Sequence, residues 1–164
     1  MDKLHEIETK ALHEALDDEY QAWTIYGQVI ADFGEVRPFT NIREAEGRHI
    51  EALRALFDRY AVPMPANPWP GKVPRYASLK EACEAGVAAE VANAALYDRL
   101  LAATQRPDIL AVFRNLREAS QERHLEAFRR CAQRGGMGGR GRGRMHRGGR
   151  GQPPAPPLPR GKSG

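Results

Sequence analysis

The chain has 164 residues and a formal net charge of +4, but residues 134–164 hold 8 of the 25 basic residues and no acidic one. Residues 1–133 therefore carry 17 basic against 21 acidic residues, a net charge of −4, so the positive total is no argument that the folded part binds nucleic acid. No stretch approaches the run of about 18 apolar residues that a membrane helix needs, and no apolar signal segment follows Met1, so we expect no membrane segment and a cytoplasmic location.

Apolar residues recur at the three-then-four spacing of a helix with one buried face in four stretches, and no segment alternates with the period of a strand. Prolines and glycines separate these stretches, and Ser78 and Glu81 form a capping box at the start of the third. The predicted helices run from about Leu4 to Phe33, from after Pro38 to before Pro63, from Ser78 through Leu101, and from Pro107 to the glycines at 135–136.

The connections between these helices predict how they are arranged. Short links at about 33–37 and 103–108 favour two antiparallel hairpins, whereas the link at 61–77 contains five prolines and is long enough to run the length of a bundle. We therefore expect an all-α fold for residues 1–133, a four-helix bundle of two antiparallel hairpins joined by a long crossover.

The two hairpins also look like copies of one unit. Glu19-x6-Tyr26 in the first helix matches Glu90-x6-Tyr97 in the third, and the sequence RHIEAL at 48–53 matches RHLEAF at 123–128. Because both matches occur in the same order within each hairpin, we interpret the chain as a duplicated helical hairpin.

Acidic and histidine residues interrupt the apolar faces at matching heights. Glu19 and Glu90 each occupy an inward position of an otherwise apolar face, and the antiparallel geometry places them opposite His49 and His124, with Glu46 one turn from His49. A buried carboxylate needs a neutralising partner, since its desolvation costs several kcal/mol. Either a metal ion with a preference for oxygen and imidazole ligands, or an arginine such as Arg48 or Arg117, would supply that charge.

The motifs Glu19-x6-Tyr26, Glu46-x2-His49, Glu90-x6-Tyr97 and His124 together resemble those of the ferritin-like superfamily, nearest to rubrerythrins and to small uncharacterised ferritin-like domain proteins. The resemblance covers about residues 4–133. It implies a bundle that holds one or two iron or manganese ions, which meet O2, peroxide or stored iron. The four-cysteine module of rubrerythrins is absent from this sequence, which has only two cysteines.

The fourth helix departs from that pattern, because a second Glu-x-x-His would need glutamate at 121, where the sequence has Gln121. The segment REA at 43–45 recurs at 117–119, an offset of 74, whereas the histidine segments are offset by 75. One extra residue before the histidine predicts a π-bulge. The bulge would either turn Glu118 or Glu122 inward as the missing carboxylate, or leave Gln121 as a weaker ligand and the second metal lost or loose.

Four further side chains receive two interpretations each. Tyr26 and Tyr97 lie one heptad beyond the glutamates, where they either pack in the core or support the ligands by a hydrogen bond or a radical role. Cys83 and Cys131 are expected to face each other two turns from the site, as buried free thiols by default or as a redox-active pair.

Residues 134–164 form an Arg/Gly-rich and Pro-rich tail that is predicted to be disordered and to act as a solvated segment or as a weak contact for nucleic acid or another polyanion. Three functions remain open for the chain. It is an oxidoreductase whose di-iron or di-manganese site acts on O2 or peroxide, a metal store or carrier without turnover, or a metal-free interaction module. A homodimer is compatible with each of them.

Overall fold

The computed structural model describes residues 2–135, which are all-helical and contain no strand. Within this range the predicted all-α class is confirmed. The last three elements follow one another without a break, so they form a single fourth rod. The elements are α1 (Glu6–Phe33), α2 (Phe39–Arg59), α3 (Leu79–Leu101), α4 (Pro107–Glu118), a π-helical turn (Ala119–His124) and α5 (Leu125–Gln133).

Local sequence sets the helix ends close to where they were predicted. Gly34 ends α1 at a φ of +90°, a conformation that a residue with a side chain rarely adopts. The Ser78 hydroxyl accepts a hydrogen bond from the backbone of Glu81 at 3.2 Å, while the Glu81 carboxylate accepts one from the backbone of Ala77 instead of Ser78. Pro107 occupies the first turn of α4, where its missing N–H removes no helical hydrogen bond.

Helix α1 packs along α2 and against α3, and α3 packs along α4, the π-helical turn and α5. The buried apolar residues form two clusters, separated along the bundle. Leucine, phenylalanine and tyrosine side chains dominate the first, whereas the second combines aromatic rings with β-branched residues and two cysteines. The first cluster includes Leu12, Leu16, Leu53, Phe57, Leu100 and Phe113, and the second includes Val29, Phe39, Ile42, Cys83, Phe128 and Cys131.

The link between α2 and α3 lies against α1. Its polar contacts are distributed along that helix and hold the irregular segment on the bundle surface. The contacts are Tyr20 Oη donating to the Pro65 carbonyl at 3.0 Å, Asn67 Nδ2 donating to Thr24 Oγ1 at 2.9 Å, Trp69 Nε1 donating to Asp17 Oδ1 at 3.0 Å, and Arg75 pairing with Asp32.

At the start of the bundle, Glu8 of α1 joins the α3–α4 loop through a buried ion pair. Its carboxylate accepts hydrogen bonds from Thr104 Oγ1 at 2.8 Å and from Arg106 Nε at 3.1 Å. Burial raises the pKa of Glu8, but hydrogen bonds from the His5 backbone, Thr104 and Arg106 outweigh it and hold that pKa below its usual value. The pair therefore stabilises the contact between the two hairpins when Glu8 is ionised.

Cys83 of α3 and Cys131 of α5 are joined by a disulfide, with their Cα atoms 5.8 Å apart. The prediction that they face each other is confirmed, whereas the default expectation of free thiols is wrong. The helices approach closely enough for the bond because α3 has Gly86 at this level, where an added Cβ would lie 2.7 Å from the ring of Phe128. Both cysteines are fully buried.

Within residues 2–135, none of the helices is both long and apolar enough to cross a membrane. The cytoplasmic location stays a prediction. The predicted Arg/Gly-rich and Pro-rich tail lies outside the described residues from residue 136 onward, and its two proposed roles stay predictions as well.

Candidate metal centre

Five side chains predicted to converge are brought together by the four rods, between the two apolar clusters. Three of them are glutamates that are 2–3% exposed, which is rare for a charged residue. His124 is buried and His49 is nearly so. The five are Glu19 of α1, Glu46 and His49 of α2, Glu90 of α3, and His124 at the end of the π-helical turn.

The first group of ligand atoms belongs to α1 and α2. His49 Nδ1 lies 2.8 Å from Glu46 Oε2 and 3.3 Å from Glu19 Oε2. Because Glu46 and His49 are three residues apart, they share one face of α2 and meet the glutamate of α1 across the hairpin. Together they offer two carboxylates and one imidazole, with ligand atoms within 4.8 Å of one another.

The second group uses the other oxygen of the same glutamate. His124 Nδ1 lies 3.2 Å from Glu46 Oε1 and 3.6 Å from Glu90 Oε1, and these ligand atoms also lie within 4.8 Å of one another. The rings of His49 and His124 are stacked with their centroids 5.6 Å apart. Glu46 therefore stands between two similar groups and presents one oxygen to each.

Two tyrosines support the outer glutamates in a crossed arrangement. Tyr97 of α3 donates a hydrogen bond to Oε1 of Glu19 on α1 at 2.7 Å, and Tyr26 of α1 donates one to Oε1 of Glu90 on α3 at 3.0 Å. Both tyrosines are buried, and burial raises the pKa of each phenol well above its usual value, so both remain protonated donors. Of the two interpretations, hydrogen bonding to the ligands agrees with this geometry, while a radical role stays a prediction.

The predicted π-bulge is confirmed as the six-residue π-helical turn that ends at His124. It does not supply the expected fourth ligand, because Glu118, Gln121 and Glu122 are all exposed. The wider turn places Ser120 inward instead, and its hydroxyl donates a hydrogen bond to Oε2 of Glu90. A π turn spreads its residues over a different angle than an α turn, so the extra residue rotates the three polar side chains outward.

No arginine or lysine of the described residues pairs with the three buried glutamates, whose ion-pair contacts are with histidines only. Arg48 is exposed, and Arg117 pairs with Asp98 at 2.7 Å. The alternative that guanidinium groups neutralise the cluster is therefore wrong for both candidates.

In the metal-free cluster, bound protons reduce the negative charge of the three carboxylates. Burial and the charge of Glu46 raise the pKa of Glu19 well above its usual value. Burial acts in the same direction on Glu46, but the interactions with Glu19 and the two histidines outweigh burial and lower the pKa of Glu46. Burial alone would lower the pKa of the histidines, yet the neighbouring carboxylates raise it to about 10 for His49 and about 9 for His124. The metal-free cluster thus holds protons that a metal would displace.

The donor set is compatible with metal ions in the two ligand groups. Carboxylate and imidazole ligands without a thiolate suit iron and manganese, and helix bundles hold such ions with glutamates and Glu-x-x-His motifs. His124 Nδ1 is buried and makes no hydrogen bond of acceptable geometry, although a carboxylate oxygen lies 3.2 Å away. A buried ring nitrogen in this position is compatible with coordination of a metal ion.

Sequence reasoning missed Asp18 and Asn93, which lie beside the cluster. Asn93 Nδ2 donates a hydrogen bond to Asp18 Oδ2 at 2.5 Å, and burial raises the pKa of Asp18 to about 6. Asn93 follows Glu90 by three residues on the same face of α3, a spacing that would have identified it. Asp18 gave no such signal, because it lies next to Glu19 in a run of acidic residues.

No protein-family model and no curated protein matches this chain. Among solved structures, the crystal structure of hypothetical protein MJ0754 from Methanococcus jannaschii is similar, with a TM-score of 0.73 and 24% sequence identity over 83% of this chain and 85% of that one. This likeness concerns the fold alone. Fold and site together describe an all-helical bundle with a buried cluster of three carboxylates and two imidazoles.

Proposed function

We propose that this chain is a carboxylate-bridged, non-haem di-metal protein of the ferritin-like type, an oxidoreductase that uses two iron or two manganese ions to act on O2 or peroxide. The observation that carries the proposal is the position of Glu46, which directs Oε2 toward His49 and Oε1 toward His124. A carboxylate shared by two ligand groups is the arrangement expected of a bridge between two ions.

In this proposal Glu19, Glu46 and His49 hold one ion, and Glu46, Glu90 and His124 hold the other. Bound iron or manganese would supply redox equivalents and coordination positions for O2 or peroxide. The protein supplies orientation: Tyr97 and Tyr26 fix the outer carboxylates, and the two apolar clusters limit water at the level of the site.

Charge supports two ions only with help from outside the five ligands. Three carboxylates leave one positive charge uncompensated beside two divalent ions, and the exposed Glu118 and Glu122 provide no remedy. A hydroxide bound together with the ions would supply the fourth negative charge.

The proposal is tested by the metal content of protein produced in medium rich in iron and manganese. We expect about two ions per wild-type chain, and the loss of both in Glu46→Ala because both groups share this residue. Glu51→Ala is the matched control, since Glu51 is an exposed glutamate of the same helix that pairs only with Arg54. The loss of metal from Glu46→Ala supports the proposal only if the variant keeps its helical content. Wild-type protein without stoichiometric metal, or Glu46→Ala with both ions, would overturn the proposal.

One observation favours the second candidate, a metal store or carrier. The two cysteines of the chain, Cys83 and Cys131, are joined in a buried disulfide, so neither offers a thiolate that would deliver electrons to the site. Peroxide consumption by metal-loaded protein with an added reductant separates the two functions. Turnover supports the oxidoreductase, and metal uptake and release without turnover supports the store.

A further inference from the structure

A cavity of about 230 Å³ lies between α1 and α3 and extends from the surface to the cluster. The exposed Ala89 and Ala92 form part of its outer rim, and the buried Glu46 and Glu90 form part of its inner wall. The small alanine side chains leave the space open at this point of the helix pair. At about 30 Å³ per water, the volume accommodates about eight waters, enough for an ion that retains part of its hydration shell.

The polar groups that line the cavity are acidic or neutral, and none of them is basic. Besides Glu46 and Glu90 they include Asp18, Gln21 and Asn93, and no lysine, arginine or histidine lines it. Carboxylate groups in a cleft with apolar walls focus a negative potential that concentrates cations and repels anions. The cavity is thus suited to a cation rather than to an anionic substrate.

Asn93 supplies a second, independent observation. Its side chain is 8% exposed, and its Nδ2 donates to Asp18 Oδ2, which fixes the orientation of the amide. Its Oδ1 is buried without a hydrogen-bond partner. A buried carbonyl oxygen beside a carboxylate is a ready pair of ligands for a hard divalent cation.

We propose that this cavity is the access route for divalent cations, and that the Asp18 carboxylate and Asn93 Oδ1 form a transit site from which an ion passes to Glu46 and Glu90. The inference rests on the proposed di-metal function and assigns to it a route and a class of ligand, a partly hydrated divalent cation. Asp18 and Asn93 hold the ion only in passing, because the five deeper ligands offer imidazole as well as carboxylate donors.

The test compares the rate of metal uptake with its extent, using Co²⁺ as the probe and its visible absorbance in a stopped-flow instrument. Asp18→Asn removes the charge at constant shape, and we expect its association rate constant to fall about tenfold, with a weaker dependence on ionic strength. Asn93→Ala removes the carbonyl oxygen and should also slow uptake. The number of Co²⁺ ions bound at equilibrium should equal that of the wild type in both variants.

Asp17→Asn is the matched control. Asp17 is the neighbouring, exposed residue of α1, it does not line the cavity, and its Oδ1 accepts a hydrogen bond from Trp69 Nε1 that an asparagine carbonyl also accepts. We expect uptake within twofold of the wild-type rate. Equal slowing in Asp17→Asn and Asp18→Asn would overturn the inference, because the effect would then be that of total charge.

Two further outcomes distinguish this inference from the proposed function. If Asp18→Asn binds fewer ions at equilibrium, Asp18 is a permanent ligand, and the transit site is refuted while the di-metal centre stands. If the wild-type chain binds no Co²⁺ and contains no iron or manganese, the proposed function fails and this inference fails with it.

Discussion

Removing the disulfide between Cys83 and Cys131 should destabilise the bundle by an amount that depends on the length of the loop that the disulfide closes. The two residues are 48 positions apart in sequence, and both are fully buried. Closing a loop of that length in the unfolded chain removes about 14 cal/mol/K of entropy, or about 4 kcal/mol at 25 °C. Engineered and native bridges often deliver less than this limit, so we expect a loss of about 2–4 kcal/mol.

The measurement is urea unfolding at equilibrium, followed by circular dichroism, for the wild type with and without reductant and for Cys83→Ala, Cys131→Ala and the double variant. Either single substitution abolishes the whole bridge, so each should cost nearly as much as the double variant. Reductant under conditions that unfold the chain should lower the wild-type stability and leave the variants unchanged. The number of metal ions bound should not change, because the bridge belongs to the second apolar cluster and not to the site.

A double variant as stable as the oxidised wild type would refute this reasoning, and so would single variants whose losses add to that of the double. In the first case the bridge would restrict no unfolded conformations. In the second, the loss would come from the packing of two sulfur atoms, since a bridge can be broken only once.

Three further predictions concern buried polar groups. Tyr97→Phe should lower the free energy of unfolding of metal-free protein by about 1–3 kcal/mol, because it leaves a buried carboxyl oxygen without a donor. Tyr20→Phe loses a partly buried hydrogen bond to a carbonyl and should lower it by about 0.5–1.5 kcal/mol. Denaturant unfolding compares the two variants. Because the pKa of Glu8 is lowered on folding, ionised Glu8 contributes its full share to the free energy of unfolding above the unfolded-state pKa of about 4.3, and this share is lost as the pH falls through the folded-state pKa. Glu8→Gln should therefore reduce the dependence of stability on pH in the acid range. The pKa values of Glu19 and of the two cluster histidines are raised, so metal uptake at pH 7 should release at least two protons, and metal affinity should rise with pH. Calorimetry in buffers of different ionisation enthalpy measures the number of protons released, and uptake without proton release would contradict the assignment.

The ends of the helices were predictable because glycine and proline residues mark them in the sequence. Gly34 ends α1 and Pro107 begins α4, and neither residue leaves the helix much freedom at these points. The π-helical turn was predictable for a related reason. A change of offset between two copies of one repeat requires one extra residue in the second copy, and a helix absorbs a single residue most simply as a wider turn.

The direction in which that turn rotates its side chains was not predictable. The sequence left open whether Glu118 or Glu122 turns inward or Gln121 remains as a weaker ligand, and the outcome depends on which side chain fits against Glu90 across the helix pair. Ser120 fits because it is small and donates a hydrogen bond to the carboxylate. Similarly, the register of the cysteines was readable from sequence, whereas the distance between their helices depends on how closely Gly86 allows Phe128 to approach.

The extra residue in the fourth rod also makes the two halves of the site chemically unequal, although the repeat that produces them is nearly symmetrical. Glu90 has a donor on each oxygen, Tyr26 on Oε1 and Ser120 on Oε2. Glu19 has a tyrosine on Oε1 only, so its Oε2 faces His49 without a competing hydroxyl donor. In the proposed di-metal centre, Glu19 would therefore offer its ion an oxygen that accepts no hydroxyl hydrogen bond, whereas both oxygens of Glu90, which borders the cavity, are shared with hydroxyl donors.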